Sequence, residues 1–238
     1  MSRTLTIASR ELKSYFLSPG GYVIIALFLV FIGIFFTTRS FEAGRPSSLR
    51  AVFDIGMWLL LFICPAITMR SISEEQRMGT YEVLMTCPVR ESEVILGKFL
   101  AALGFLILML LPTLTHVVAL ERYGQPDYGE LFSGYFGMVL AGSAYLASGI
   151  LISTLTTSQV VAFLITMFFW LTINIGTKIL PQYIPEFWGD IVRMIDPEQR
   201  LSLFAIGLID TAAIMYFLAL IAFFLIAAVA SLNWRRCP

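Results

Sequence analysis

Catalysis needs a nucleophile, an acid or base, or metal ligands within reach of one another, and this sequence offers few candidates. The single histidine, His116, lies within a long apolar run. One histidine cannot build a helical two-histidine zinc site. An ionisable group in such a run is a candidate general base or substrate contact; it is equally a neutral, hydrogen-bonded contact between helices. Ser143 is the nucleophile to set beside it, as in an intramembrane serine protease, but no G-x-S-x-G elbow is present. Gly142-Ser143 and Ser148-Gly149, with Ala141 and Ala144, read instead as small residues that let helices approach closely. Cys64, Cys87 and Cys237 have no metal-ligand spacing, and no disulfide framework is expected from them. Gly97-Lys98 is followed by Phe99, and Ser92 stands where a phosphate-cradling loop needs its first glycine. No catalytic residue is assigned, and the chain is expected to bind no ATP, metal or other cofactor itself.

The elements that must carry these residues are set by where the charges are absent. Of 238 residues 58% are hydrophobic and 13% charged, against about 45–50% and about 25% in soluble domains. No charged residue lies between Lys13 and Arg39, between Lys98 and Glu121, from Leu131 to Thr177, or between Asp210 and Arg235. Crossing the hydrocarbon takes about 20 apolar residues. The run from Leu131 is long enough for two spans, divided at Thr154, Thr156, Thr157, Ser158 and Gln159; a shorter run, Ile55 to Met69, follows Asp54. The fold class expected is all-α: a polytopic protein with six transmembrane helices at about 20–38, 51–69, 99–120, 131–153, 159–179 and 209–233, forming a single transmembrane domain over 1–238. The first run ends in charged residues without a small-residue cleavage site, so it reads as a retained span. Sixteen basic and sixteen acidic residues balance, which argues against a nucleic-acid partner.

Six spans put both termini on one side. That side carries nine Lys and Arg against seven on the other, with Arg10 and Lys13 before the first span and Arg235 and Arg236 after the last. The positive-inside rule then places both termini in the cytoplasm, with the chain in the cell inner (cytoplasmic) membrane. The segment before the first span is amphipathic. Leu5, Ala8, Leu12, Tyr15 and Phe16 share one helical face, Arg3, Arg10 and Lys13 the other, and Ile7 departs from the pattern. Such a helix is expected to lie in the interface among the membrane lipids.

One connection is unlike the rest. Residues 70–98 are long and dense in charge, with Arg70, Glu74, Glu75, Arg77, Glu82, Arg90, Glu91, Glu93 and Lys98. Gly79 can end a helix continuing from the second span. Thr80 can cap a short helix from Tyr81 to about Thr86, with Glu82 near its positive end. Pro88 breaks it, and a further helix starts near Arg90 and runs into the third span. A short surface helix between two rigid extensions of spans can pass force from a docked protein into the membrane; the plainer reading is a solvated loop.

The stretch Ile72-Ser73-Glu74-Glu75-Gln76-Arg77-Met78-Gly79-Thr80-Tyr81-Glu82-Val83-Leu84, then Cys87-Pro88-Val89, then Val94-Ile95-Leu96-Gly97-Lys98-Phe99, resembles the signature of ABC-2-type transporter permeases. It is particularly similar to the small gliding-motility-associated permease subunits. A looser match is Gly207-Leu208-Ile209-Asp210-Thr211 leading to Tyr216-Phe217-Leu218. The resemblance covers essentially the whole chain; Arg90 departs from it, standing where many relatives have a serine that caps with Glu93. It implies a permease subunit of an exporter, with ATP and Mg2+ held on a separate ABC ATPase subunit. It implies a second permease copy or a sister permease, and leaves room for an accessory periplasmic or membrane subunit. The coupling residues would be Glu74, Glu75, Arg77, Gly79, Thr80, Glu82 and Pro88. The second and fifth spans would line the pathway, where Cys64, Thr68, Thr166, Thr172, Asn174 and Thr177 are the candidate polar groups. Short outward-facing helices would follow the fifth span. The rivals are a passive channel or secondary transporter, disfavoured because Asp54 and Asp210 sit near span ends and no repeat is evident, and a membrane enzyme, disfavoured by the missing acid–base cluster.

Overall fold

The computed structural model describes residues 3–39, 49–79, 90–123 and 127–236, and among them it is helical with no strand. The helices are α1 (Arg3–Leu17), α2 (Pro19–Arg39), α3 (Arg50–Thr68), α4 (Ser73–Arg77), α5 (Glu91–Leu110), α6 (Leu114–Tyr123), α7 (Tyr128–Leu155), α8 (Gln159–Ile179), α9 (Glu186–Ile195), α10 (Pro197–Ala205) and α11 (Thr211–Arg236). Among the described residues, six helical stretches are long and apolar enough to cross a membrane: Pro19–Arg39, Arg50–Arg77, Glu91–Arg122, Tyr128–Leu155, Gln159–Gln182 and Thr211–Trp234. The protein is an all-α polytopic membrane protein, as its charge-free runs require. The expected helix from Tyr81 to Thr86 lies outside the described residues, as do Thr80, Glu82, Pro88, Cys87 and Cys237.

α7 is the central helix, packed against α3, α5, α8, α10 and α11. In lipid there is little hydrophobic drive between apolar helices, so close approach through small residues has to supply the packing. Its glycines are where that happens. A Cβ on Gly134 would lie 2.3 Å from the Phe53 ring, on Gly142 2.5 Å from a Leu106 methyl, and on Gly149 2.0 Å from Thr68 Oγ1. Ser148, fully buried, accepts a 2.7 Å hydrogen bond from the Trp170 indole, which joins α7 to α8. Ser143 returns its hydroxyl to Val139 O at 2.6 Å, while His116 packs its ring against Phe36 at 4.5 Å. Each group of the would-be hydrolase pair is thus engaged elsewhere, one with its own helix and the other with an aromatic ring.

The third span is broken at its one internal proline. Pro112 lacks an N–H for the helical ladder, and Leu111–Thr113 narrows to a 3₁₀ turn between α5 and α6. Thr113 bonds Leu110 O at 2.6 Å and shares a 2.9 Å hydrogen bond with Tyr135 of α7, which holds the break against the central helix.

α1 lies along α5, and its packing face differs from the face expected. Leu5 is 51% exposed. Ile7, the residue that breaks the simple pattern, is the one seated on Gly97, where a Cβ would come within 2.8 Å of its methyl. Leu12 sits over Gly104, and the Tyr15 and Phe16 rings lie 5.2 and 5.5 Å from Phe105. The face runs through Thr4, Ile7, Glu11 and Tyr15, following α5 and not the apolar count alone. Tyr15 donates to Ile67 O at 3.4 Å; burial first, and Glu11 second, push its phenol above the ordinary tyrosine range.

Gly149→Val tests the central packing. It should destabilise the purified protein by about 1–3 kcal/mol, read as a lower melting temperature in detergent. Thr68→Ala, which removes the oxygen met first, should recover part of that loss.

Candidate functional site

At the end of the bundle that carries α1 and α4, the second span does not simply stop. α3 holds Pro65 in its last turn. After Thr68 a tight turn, residues 69–72, intervenes before α4. A helix that restarts so abruptly exposes unpaired N–H groups, and no side chain of its own caps α4. Ser153, near the end of α7, supplies the acceptor: its Oγ takes the N–H groups of Ile72 and Ser73, each at 3.0 Å. Gln76 adds a 3.1 Å hydrogen bond to Thr154 O, and Thr154 bonds Ser231 of α11 at 3.1 Å. Ser73 also bonds back to Met69 O. The turn is thereby fastened to the two helices behind it.

Beside the turn sits a buried lysine. Lys98 of α5 has only 3% of its side chain exposed. Its ammonium is 2.8 Å from Glu75 Oε1 on α4, 3.4 Å from Glu11 Oε1 on α1 and 2.5 Å from the carbonyl of Ser71. Three separate elements therefore meet on one cation. An ammonium out of water is tolerated only when paired and hydrogen-bonded, and each of its three donors has an acceptor here. Gly97 makes the arrangement possible by letting α1 close on α5 at Ile7, one helical turn before Glu11.

This geometry divides the expected coupling residues. Glu75 turns inward to Lys98, with 20% of its side chain exposed, and Glu74 is partly buried. Arg77, Met78 and Gly79 are exposed, Met78 at 63%. Gly79 has φ +70, a left-handed conformation that ends α4 at glycine for steric reasons. α5 is preceded by Arg90, whose side chain cannot accept a hydrogen bond; the Glu93 carboxylate accepts from Arg90 N at 2.9 Å and supplies half of a capping box. In the sequence Lys98 is a charge of the 70–98 connection, part of the family-like stretch and the last charge before a long apolar run; nothing there points to its partners.

The expected pathway groups fall into two sets. Cys64, Thr68, Thr166, Asn174 and Thr177 are all buried inside the chain. Thr68 bonds Cys64 O, Thr166 bonds Ala162 O, Asn174 bonds Trp170 O and Thr177 bonds Asn174 O, each a carbonyl of its own helix, while Asn174 also faces a small cleft beside Tyr145 of α7. Thr172 alone of the six is exposed, in an apolar groove with Leu164, Ile165 and Phe168 on the outer face of α8.

At the opposite end, α9 and α10 follow the fifth span. α9 lays Phe187, Trp188, Ile191 and Met194 along one exposed side, the spacing of an amphipathic helix. α10 is capped by Asp196, which accepts from Glu198 N at 3.0 Å, and ends at Gly207 with φ +88. Its Phe204 carbonyl accepts from Ser133 of α7 at 2.6 Å.

The fold and the two ends define a class: a six-span helical membrane protein with a short element braced at one end and a helical cap at the other. Residues 5–233 match the family described as "ABC-2 family transporter protein", and the chain belongs to that family. It is similar to the "Probable multidrug ABC transporter permease YbhR" of Escherichia coli strain K12 and of Escherichia coli O157:H7, at 26% identity over 158 residues in each case. That similarity covers 66% of this chain, and the chain spans about 40% of the length of these relatives.

The Lys98 node makes a direct prediction. Lys98→Met leaves two carboxylates facing each other without their cation, and breaking a buried pair on one side costs roughly 3–5 kcal/mol. Adding Glu75→Gln should recover part of the loss, because the second change removes a charge the first left uncompensated. Melting curves of the two single variants and the double variant in detergent would measure this; strictly additive losses would mean that the pair is not coupled.

Proposed function

We propose that this chain is the permease subunit of an ABC exporter, driven by a separate ATPase subunit that binds ATP and Mg2+. The observation that carries the reading is the family match over residues 5–233, on a chain that has no phosphate-cradling loop of its own. The α4 end is the cytoplasmic side, consistent with the basic residues beside the first and last spans. The ATPase docks on the exposed Arg77-Met78-Gly79 tip and the residues that follow it, Thr80, Glu82 and Pro88 among them. A push on that tip reaches α1 and α5 through Glu75 and Lys98, and α7 through Ser153. In this role Glu75 transmits; it does not touch the partner. Two permease chains pair through the second and fifth spans, an arrangement supported by the exposed apolar face of α8. An accessory periplasmic or membrane subunit is compatible with the cap formed by α9 and α10.

Two measurements test this. Met78→Asp places an unpaired charge on the docking tip and should weaken co-purification of the ATPase about 10- to 30-fold, with no change in the permease's own melting temperature. Glu75→Lys puts a second cation beside Lys98 and should lower the melting temperature itself; equal effects of both on docking alone would remove the distinction between tip and node. For topology, with Cys87 and Cys237 replaced by serine, a cysteine at Tyr183 should label from outside intact cells, and one at Arg77 only after permeabilisation. The reverse pattern would place the ATPase surface on the wrong side.

A further inference from the structure

At the end opposite the Lys98 node, where α9, α10 and the start of α11 meet, the surface opens into a cleft of about 470 Å³. Two guanidinium groups and one carboxylate line it: Arg193 of α9, Arg200 of α10 and Asp210, just before α11. Arg200 is held from two sides. Its Nε and Nη2 donate to Met194 O at 3.1 and 2.8 Å, and its guanidinium carbon lies 4.7 Å from the centre of the Tyr216 ring. Tyr216 is fixed in turn, its hydroxyl donating to Ile195 O at 2.7 Å. Arg193 meets Asp190 through Nη1 at 3.4 Å.

Both arginines keep donors beyond these bonds. Among the described residues no acceptor engages Nη1 of Arg200, nor Nε and Nη2 of Arg193. A guanidinium carries its N–H donors in a fixed fork that matches the oxygens of a phosphate. Asp210 accepts from Ala212 N through Oδ1 at 3.0 Å, which leaves Oδ2 for a second donor. Two cations beside one carboxylate fit a group that carries a phosphate and an ammonium together; a purely anionic group would meet Asp210 as a like charge. The rim is apolar. Leu208 and Ile209 before α11, and Met215 and Leu218 on it, are exposed, and on a charge-free span such a surface meets lipid tails. Alongside, α9 turns Phe187 and Trp188 outward, side chains suited to the headgroup level of a bilayer.

We propose that this cleft holds the head of one phospholipid that carries a phosphate and a primary ammonium, the chemistry of phosphatidylethanolamine. Arg193 and Arg200 donate to the phosphate oxygens, Asp210 accepts from the ammonium, and an acyl chain lies along Met215 and Leu218. A primary ammonium has N–H donors for that carboxylate, whereas a trimethylammonium has none. Arg200, fixed by its backbone and ring contacts, sets the position of the phosphate, and the more exposed Arg193 closes on it from α9. The inference rests on this chain's own cleft and not on the transporter reading, so binding is measured without an ATPase and the two can fail separately.

The experiment titrates the full chain, delipidated in detergent, with phosphatidylethanolamine, phosphatidylcholine and phosphatidylglycerol of the same acyl chains, and reads each bound lipid by native mass spectrometry. The first ethanolamine lipid should bind about three- to tenfold more tightly than either of the others. Arg193→Gln should weaken that first binding about three- to tenfold. Asp210→Asn keeps a side chain that can cap α11 and should abolish the preference for ethanolamine over glycerol, with the glycerol lipid bound no more weakly than before. Arg200 also secures the end of α9, so the variants at Arg193 and Asp210 carry the test, and melting curves confirm that each is folded. Should one fail to fold, the comparison of the three lipids on the unaltered chain still decides. Equal affinity for all three would mean ordinary surrounding lipid and would overturn the proposal, as would an ethanolamine preference that survives Asp210→Asn. Free O-phosphoethanolamine should not displace the lipid at matching concentrations; displacement there would point to a soluble ligand and sink the lipid assignment.

Discussion

Helices surrounded by lipid gain little from hiding apolar side chains from one another, because lipid tails are equally apolar. What remains is close contact, and in this protein that contact is organised on α7. Gly134, Gly142 and Gly149 bring it against Phe53 of α3, Leu106 of α5 and Thr68 of α3 at distances that leave no room for a Cβ. Gly137 does the same for Phe204 of α10. Because one helix takes most of the neighbours, α2, α8 and α11 remain at the periphery with large apolar faces outward. The periphery suits lipid and, on α8, a second apolar helix surface.

Charge is confined to the two ends, and the ends differ in how they hold it. At one, Lys98 is almost fully buried and shared by Glu75, Glu11 and a backbone carbonyl. Such a node is rigid: moving any one partner strands a charge out of water, so α1, α4 and α5 move together or not at all. At the other, Lys178 and Glu198 form an ion pair whose side chains are 47% and 38% exposed, a setting in which such a pair contributes little. The same chemical pair therefore braces one end and contributes little at the other, with burial making the difference.

The backbone of the braced end shows a related economy. The turn at residues 69–72 leaves N–H groups that a continuous helix would have used, and a serine about eighty residues away on α7 accepts two of them. Buried N–H groups without partners are strongly disfavoured, so this turn and the end of α7 are specified together. The Thr154–Ser231 hydrogen bond extends the connection to the last span. An element that would otherwise be a loop is thus tied to several spans at once.

The sequence by itself determined the fold class. Charge-free runs of this length admit one solvent, and in that solvent the backbone must satisfy itself as helix. It also marked Gly79 as a helix end, since only glycine is at ease at φ +70, and it marked Gly142 and Gly149 of the fourth span as contact points, though not Gly134 or Gly137. It did not reveal the Lys98 node, because Glu11, Glu75 and Lys98 are far apart in the chain and each alone looks like an interfacial charge. Nor did it show that Cys64, Thr68, Thr166, Asn174 and Thr177 turn inward while Thr172 turns outward, since their helices are apolar nearly all round and periodicity selects no face. Ile7 joined the contact face of α1 only because Gly97 opposes it. Local pattern records what each residue prefers; which residue it meets depends on how the helices pack, and only the tertiary structure decided that.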